Sequence, residues 1–179
     1  PEYSATEPAG NSGLVALDRD GAPFQLDAEF LANWLLFSSG TMSSLQDWAF
    51  APSGSRMALG WDGERRTGIY IADPAGASVK QLTTAVPDQL FWPSDDTIVY
   101  TIAQGDDRGT WAVGTDGQPP RRLFAYLAEK VAAAPDGRLL LLANHTLWRS
   151  SGSGAPQMLG EEGMIVFPKQ FTWLQSLAR

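Results

Sequence analysis

With 179 residues, 44% of them hydrophobic and 18% charged, the chain is long enough to hide roughly 70% of its unfolded surface, so one domain with a real core is expected. A formal net charge of -7 argues against general binding to a nucleic-acid backbone and disfavours anionic membrane surfaces, because both depend on lysine and arginine. No cysteine is present, which excludes disulfides, thiolate metal sites and cysteine nucleophiles, and no apolar run approaches the roughly 18 residues of a membrane-crossing helix.

Residues 1–13 are polar and contain Pro, Gly, Ser and Asn, and they read as a flexible lead into a single domain over residues 14–178. Two apolar pieces follow, Leu14-Val15-Ala16-Leu17 and Pro23-Phe24-Gln25-Leu26, on either side of the turn Asp18-Arg19-Asp20-Gly21. This pair predicts an antiparallel hairpin. Residues 27–44 interrupt the pattern as an insertion. With helical spacing, Phe30, Trp34 and Phe37 share one face and Asp27 caps the start, while the same apolar run also reads as a strand.

From Leu45 to Leu159 one unit is written three times. Pro52, Pro93 and Pro135 each precede a polar turn, at steps of 41 and 42 residues. A short apolar segment stands before each proline (Asp47 to Ala51, Gln89 to Trp92, Lys130 to Ala134) and another after each turn (Arg56 to Gly60, Thr97 to Thr101, Arg138 to Leu142). Tyr70, Trp111 and Trp148 mark a third phase, each six residues before a glycine. Val79 to Leu82, Arg121 to Phe124 and Pro156 to Leu159 mark a fourth.

Four short strands in about 40 residues is the period of a β-propeller blade. Val15 also stands six residues before Gly21, so the first hairpin takes the third and fourth phases. At the far end Met164-Ile165-Val166-Phe167-Pro168 matches the first phase and Phe171-Thr172-Trp173-Leu174 the second. The expected fold is all-β, a small β-propeller of four-stranded antiparallel blades, three complete and one split, closed by pairing the two end regions. A ring shared between two chains, or a piece of a longer ring, keeps the same repeat.

Each blade face is covered by a neighbouring blade, so inner strands should be apolar throughout, as Leu139 to Leu142 and Thr97 to Ile102 are. Ala49 and Ala132 to Ala134 suit the region where sheets converge. Asp136-Gly137 and Ser53-Gly54 are good turn formers, whereas Asp95-Asp96, lacking glycine, is the poorest of the three.

The phases Phe50-Ala51-Pro52-Ser53-Gly54-Ser55-Arg56-Met57-Ala58, Ala133-Ala134-Pro135-Asp136-Gly137-Arg138-Leu139-Leu140 and Gly68-Ile69-Tyr70-Ile71-Ala72-Asp73-Pro74-Ala75-Gly76 resemble the WD40-like, TolB-type (PD40) β-propeller repeat. The resemblance spans Leu14 to Phe167 and departs from the family at Asp95-Asp96 and at Gly114, where the first copy has Asp73. It implies a periplasmic or extracellular setting and brings no catalytic residues. Its members resemble interaction scaffolds, substrate-gating propellers of oligopeptidases and parts of larger bacterial proteins.

Chemistry beyond the repeat is sparse. His145, the single histidine, stands in the predicted turn Asn144-His145-Thr146, and no serine occupies a Gly-x-Ser-x-Gly elbow. Asp18, Asp20 and Gly21 resemble the opening of a calcium loop without its later ligands, and no phosphate-cradling glycine loop precedes a helix. No catalytic residue, cofactor or metal site is therefore assigned, and enzyme activity is not expected of these residues.

Most tryptophans recur at repeat phases and fit blade packing, whereas Trp34 in the insertion and Trp61 at a strand end are expected at the surface. Phe30, Trp34, Phe37 and Trp61 are the candidate partner-binding residues. The functional expectation is a non-enzymatic interaction or scaffold module whose partner is another protein or a domain of the same polypeptide, with a homodimer where two chains share a ring. An accessory propeller of a hydrolase and a carbohydrate or small-ligand module are the alternatives. Nucleic acid and membrane insertion are not expected.

Overall fold

The computed structural model describes residues 16–17, 23–24, 43–64, 66–73, 78–134, 137–150 and 156–161, and every regular element among them is a strand. Two short strands, β1 (Ala16–Leu17) and β2 (Pro23–Phe24), pair antiparallel as the first hairpin predicts. Three four-stranded antiparallel sheets follow in chain order. The first holds β3 (Ser43–Phe50), β4 (Met57–Gly63), β5 (Gly68–Ala72) and β6 (Val79–Thr83). The second holds β7 (Gln89–Ser94), β8 (Thr97–Ile102), β9 (Gly109–Gly114) and β10 (Arg121–Phe124). The third holds β11 (Lys130–Ala133), β12 (Leu139–Ala143), β13 (Thr146–Ser150) and β14 (Gln157–Glu161). Each phase of the sequence repeat has become one strand.

The sheets stack because their strands are apolar on both faces. In β8, Ile98 and Tyr100 pack with Ala58, Ile69 and Ile71 of the first sheet. Val99 points the opposite way and packs with Leu139 and Leu141 of the third, as the two-residue side-chain period of a strand requires. Burying a side chain such as Ile98 or Val99 completely stabilises the fold by roughly 1.5–3 kcal/mol, so a polar residue at either position would loosen one inter-sheet wedge. The first strands lie closest together, with β7 touching both β3 and β11, and Ala49 and Ala133 border the two clusters there.

Close approach also explains one glycine. A Cβ on Gly60 would run into the ring of Pro87, which is buried in the connection to the second sheet. Forty-one residues on, the same two positions hold Thr101 and Ala128, both buried.

The turns show where local chemistry suffices and where it does not. After Ala51 and after Ala134 the chain closes the same way: a positive-φ glycine, Gly54 or Gly137, donates its N–H to the alanine carbonyl at 2.8 and 2.9 Å. Asp95-Asp96 is held from outside instead. Ser53 donates its hydroxyl (2.7 Å) and backbone N–H (3.2 Å) to Asp95 Oδ1, and Arg56 donates to the Asp95 carbonyl (2.7 Å). Thr115 N–H donates to the Asp96 carbonyl at 2.9 Å. Two neighbouring turns thus replace the missing glycine. At Gly114 a side chain would collide with the Asp116 carboxylate, which accepts the N–H of Gln118 at 3.0 Å, so the departure from Asp73 makes room for a different turn.

The structure corrects two expectations. β4 runs past Gly60 to Gly63, so Trp61 lies within the strand, opposite Leu45 and Gly68, and is only 3% exposed. Its ring shares a face with Met57 and Leu59 under the Arg66 guanidinium, 5.6 Å from the ring centre, which leaves no surface for a partner. β3 begins at Ser43, so the insertion yields its last two residues to the first sheet, and Trp48 in that strand is 44% exposed. Phe30, Trp34 and Phe37, the lead over residues 1–13, and the closing segments at 164–174 lie outside the described residues.

Candidate functional site

In all three sheets the third and fourth strands pair with the same irregularity, a β-bulge that leaves Leu82, Leu123 or Leu159 without a register partner. Gly68 and Gly109 open β5 and β9 with φ of 101° and 149°, against the fourth-strand carbonyls of Thr83 and Phe124. This shared frame sets the outer rim of each wedge between sheets. What differs is the chemistry placed on it.

At the first wedge the rim is small and polar. Thr83 ends β6 and Ala85 lies in the connection leaving the first sheet, and Trp111 of β9 packs against that core. Arg122, opposite Trp111, sets its guanidinium 5.9 Å from the indole centre and donates Nη2 to the Arg108 carbonyl. Gln81 does the same one sheet earlier, donating to the Thr67 carbonyl at 2.7 Å. Thr67 and Arg108 each precede the bulge glycine, so a fourth-strand donor latches the start of the third strand in both copies.

At the second wedge all of these positions but the tryptophan have changed. Phe124 and Tyr126 stand 41 residues after Thr83 and Ala85, and Met158 stands opposite Trp148, where it has no proton to donate. The three rings form one cluster. Tyr126 stacks on Trp148 with centroids 5.9 Å apart and planes at 27°, and Phe124 meets Trp148 at 5.9 Å and Tyr126 at 6.1 Å. Tyr126 is 48% exposed and Met158 55%, and the bulged Leu159 is 43% exposed although Leu123 is buried.

Tyr126 is held in place by its backbone. The fully buried Thr110 donates its hydroxyl to the Tyr126 carbonyl (2.6 Å) and accepts the Ala128 N–H (2.8 Å), and Arg108 Nη1 reaches the Ala125 carbonyl at 3.5 Å. A polar pair inside the wedge thereby fixes an aromatic ring outside it. Aromatic rings and methionine on a rigid frame are the side chains that most often anchor a partner.

A second concavity, about 360 Å³, opens between the Asp95-Asp96 turn and the connection from β9 to β10, lined by Asp96, Thr97, Asp116, Gln118 and Arg121 among others. Its carboxylates are occupied by the fold. Hydroxyls of Ser94 and Thr97 donate to Asp96 at 2.6 and 3.1 Å and hold it below its ordinary pKa, and Asp116 closes its own turn. His145 follows Asn144 in a two-residue hairpin turn with φ of 50° and 58°, and both are exposed. Among the described residues no three His, Asp or Glu side chains are grouped to hold a metal ion.

Of the residues nominated from sequence, then, Trp61 is core and the other three lie outside the described residues. Tyr126 and Met158 were missed because neither belongs to a recurring aromatic phase. The signal was present in the connections: Thr83-Thr84-Ala85 aligns with Phe124-Ala125-Tyr126.

No family model matches the chain, and no curated protein matches it. Among solved structures it is similar to a puromycin-hydrolyzing peptidase of Mycobacterium tuberculosis, with a TM-score of 0.46 and 14% identity over 64% of this chain. The match spans 22% of the peptidase chain.

Proposed function

We propose that the three four-stranded sheets are blades of a small β-propeller, with the β1–β2 hairpin belonging to a further blade, and that the domain is a non-enzymatic module that docks a protein. Phe124, Tyr126, Trp148 and Met158 form the docking surface. The repeat spacing, the stacking of the sheets on both faces of the second and the convergence of β3, β7 and β11 support the propeller reading.

One observation carries the docking reading. The first rim satisfies the same frame with Thr83, Ala85 and Arg122, so the fold has no need of exposed rings and a thioether at the second. Solvent-exposed apolar groups with no structural demand behind them mark a contact surface. The test is capture of proteins on the immobilised domain, comparing wild type with Tyr126→Ala and Met158→Ser combined. Specific capture should disappear while the melting temperature is kept, and capture undiminished by the double variant would overturn the assignment.

A further inference from the structure

Each of three tryptophans in this molecule lies beneath an arginine: Trp61 under Arg66, Trp92 under Arg56 and Trp111 under Arg122, at 5.6, 5.5 and 5.9 Å from ring centre to guanidinium carbon. Trp148 is the repeat counterpart of Trp111, and among the described residues no guanidinium covers it. The position that supplies Arg122 in the second sheet supplies Met158 in the third. Tyr126 adds a second ring to the platform and leaves about half of its surface to solvent.

Resting on the docking reading above, we infer that this platform takes an arginine side chain from a cationic polypeptide segment of the partner. The guanidinium lies over Tyr126, itself stacked on Trp148, much as Arg122 lies over Trp111, and its aliphatic stem runs along Met158.

Charge favours the same occupant. The chain carries a net charge of -7, so its field concentrates cationic partners and repels acidic ones. Beside the platform itself the charges balance, Glu129 against Arg108, so the attraction comes from the field of the whole chain. Arginine is suited to the site because its flat, weakly hydrated cation stacks on aromatic faces at a smaller desolvation cost than an ammonium. An apolar anchor would gain the ring contacts without gaining from the field.

The experiment selects a displayed library of random peptides on the wild-type chain and measures the recovered peptides by fluorescence anisotropy. Each is paired with a version in which arginine is replaced by citrulline, which keeps the shape and removes the charge. Recovered sequences should share an arginine, and citrulline should weaken binding at least tenfold. Met158→Arg, which restores the residue type found in the second sheet, should cover the platform from within the chain and weaken binding by a similar factor. Affinity should also fall as salt is raised.

Peptides without arginine whose binding is lost with Tyr126→Ala but unchanged by Met158→Arg would overturn the cationic occupant and leave the docking surface intact. Peptides insensitive to Tyr126→Ala, or no enrichment at all, would overturn both. Tyr126→Phe keeps the ring and should bind as wild type does, which separates loss of the platform from damage to the fold.

Discussion

The two rims of the second sheet share a frame and differ in what stands on it. Both rest on bulged fourth strands and a tryptophan in the third strand, and the fourth-strand residues Thr83 and Phe124 each close on a positive-φ glycine, Gly68 or Gly109. The first rim carries Thr83, Ala85 and an arginine latch; the second carries Phe124, Tyr126 and Met158. A frame that tolerates both sets does not dictate either. Residues on the rim are free to vary, and residues beneath it are not.

The largest test of that division is at the shared glycines. Gly68→Ala and Gly109→Ala each place a methyl group against a fourth-strand carbonyl, 2.6 Å from Phe124 O in the second case, at a φ that L residues resist. Both should cost about 3 kcal/mol in urea unfolding, and a large difference between them would mean that the two rims do not share one frame.

Alkaline pH should separate the wedges next. Tyr100 lies in the first wedge, and its counterpart in the second is Leu141, which has no proton to lose. Burial pushes the Tyr100 hydroxyl up to about 12, with the Asp107 charge adding to the shift and the hydrogen bond with Thr83 opposing it. The folded state therefore holds this proton longer than the unfolded chain does. Its contribution is intact below about pH 10 and is lost as pH rises through about 12, amounting to some 2–3 kcal/mol at the limit. Tyr100→Phe should flatten that part of the stability profile, and an unchanged profile would count against a buried phenol in this wedge.

Arg122→Met converts the first rim toward the second. It removes one cation–π contact and one latch and should cost about 1 kcal/mol by chemical denaturation. A neutral result would mean that the arginine is idle there, which would weaken the analogy drawn for Trp148. Smallest of all is Tyr126→Ala, expected to change stability by less than about 0.5 kcal/mol because the ring is half exposed. A greater loss would return Tyr126 to the core.

The strands were legible in the sequence because period and punctuation are local. Pro52 and Pro93 precede hairpin turns, and Tyr70, Trp111 and Trp148 fall in the third strands, where the repeat puts them. The candidate site was not. Trp61 sits between Gly60 and Asp62, which reads as a strand end, yet β4 continues because Leu45 and Gly68 pair with it from strands distant in sequence. Asp95-Asp96 looked poor because its stabilising partners, Ser53 and Thr115, are supplied by other turns.

The sequence alone therefore determined the number of strands per repeat, their order and the apolar character of both faces, since hydrophobic alternation and turn chemistry are written within a few consecutive residues. Only the tertiary structure decided which side chains remain in water. Exposure depends on what is placed over a residue from elsewhere in the fold, so Trp61, under Arg66, is buried while Tyr126, in a short connection, is half open to solvent.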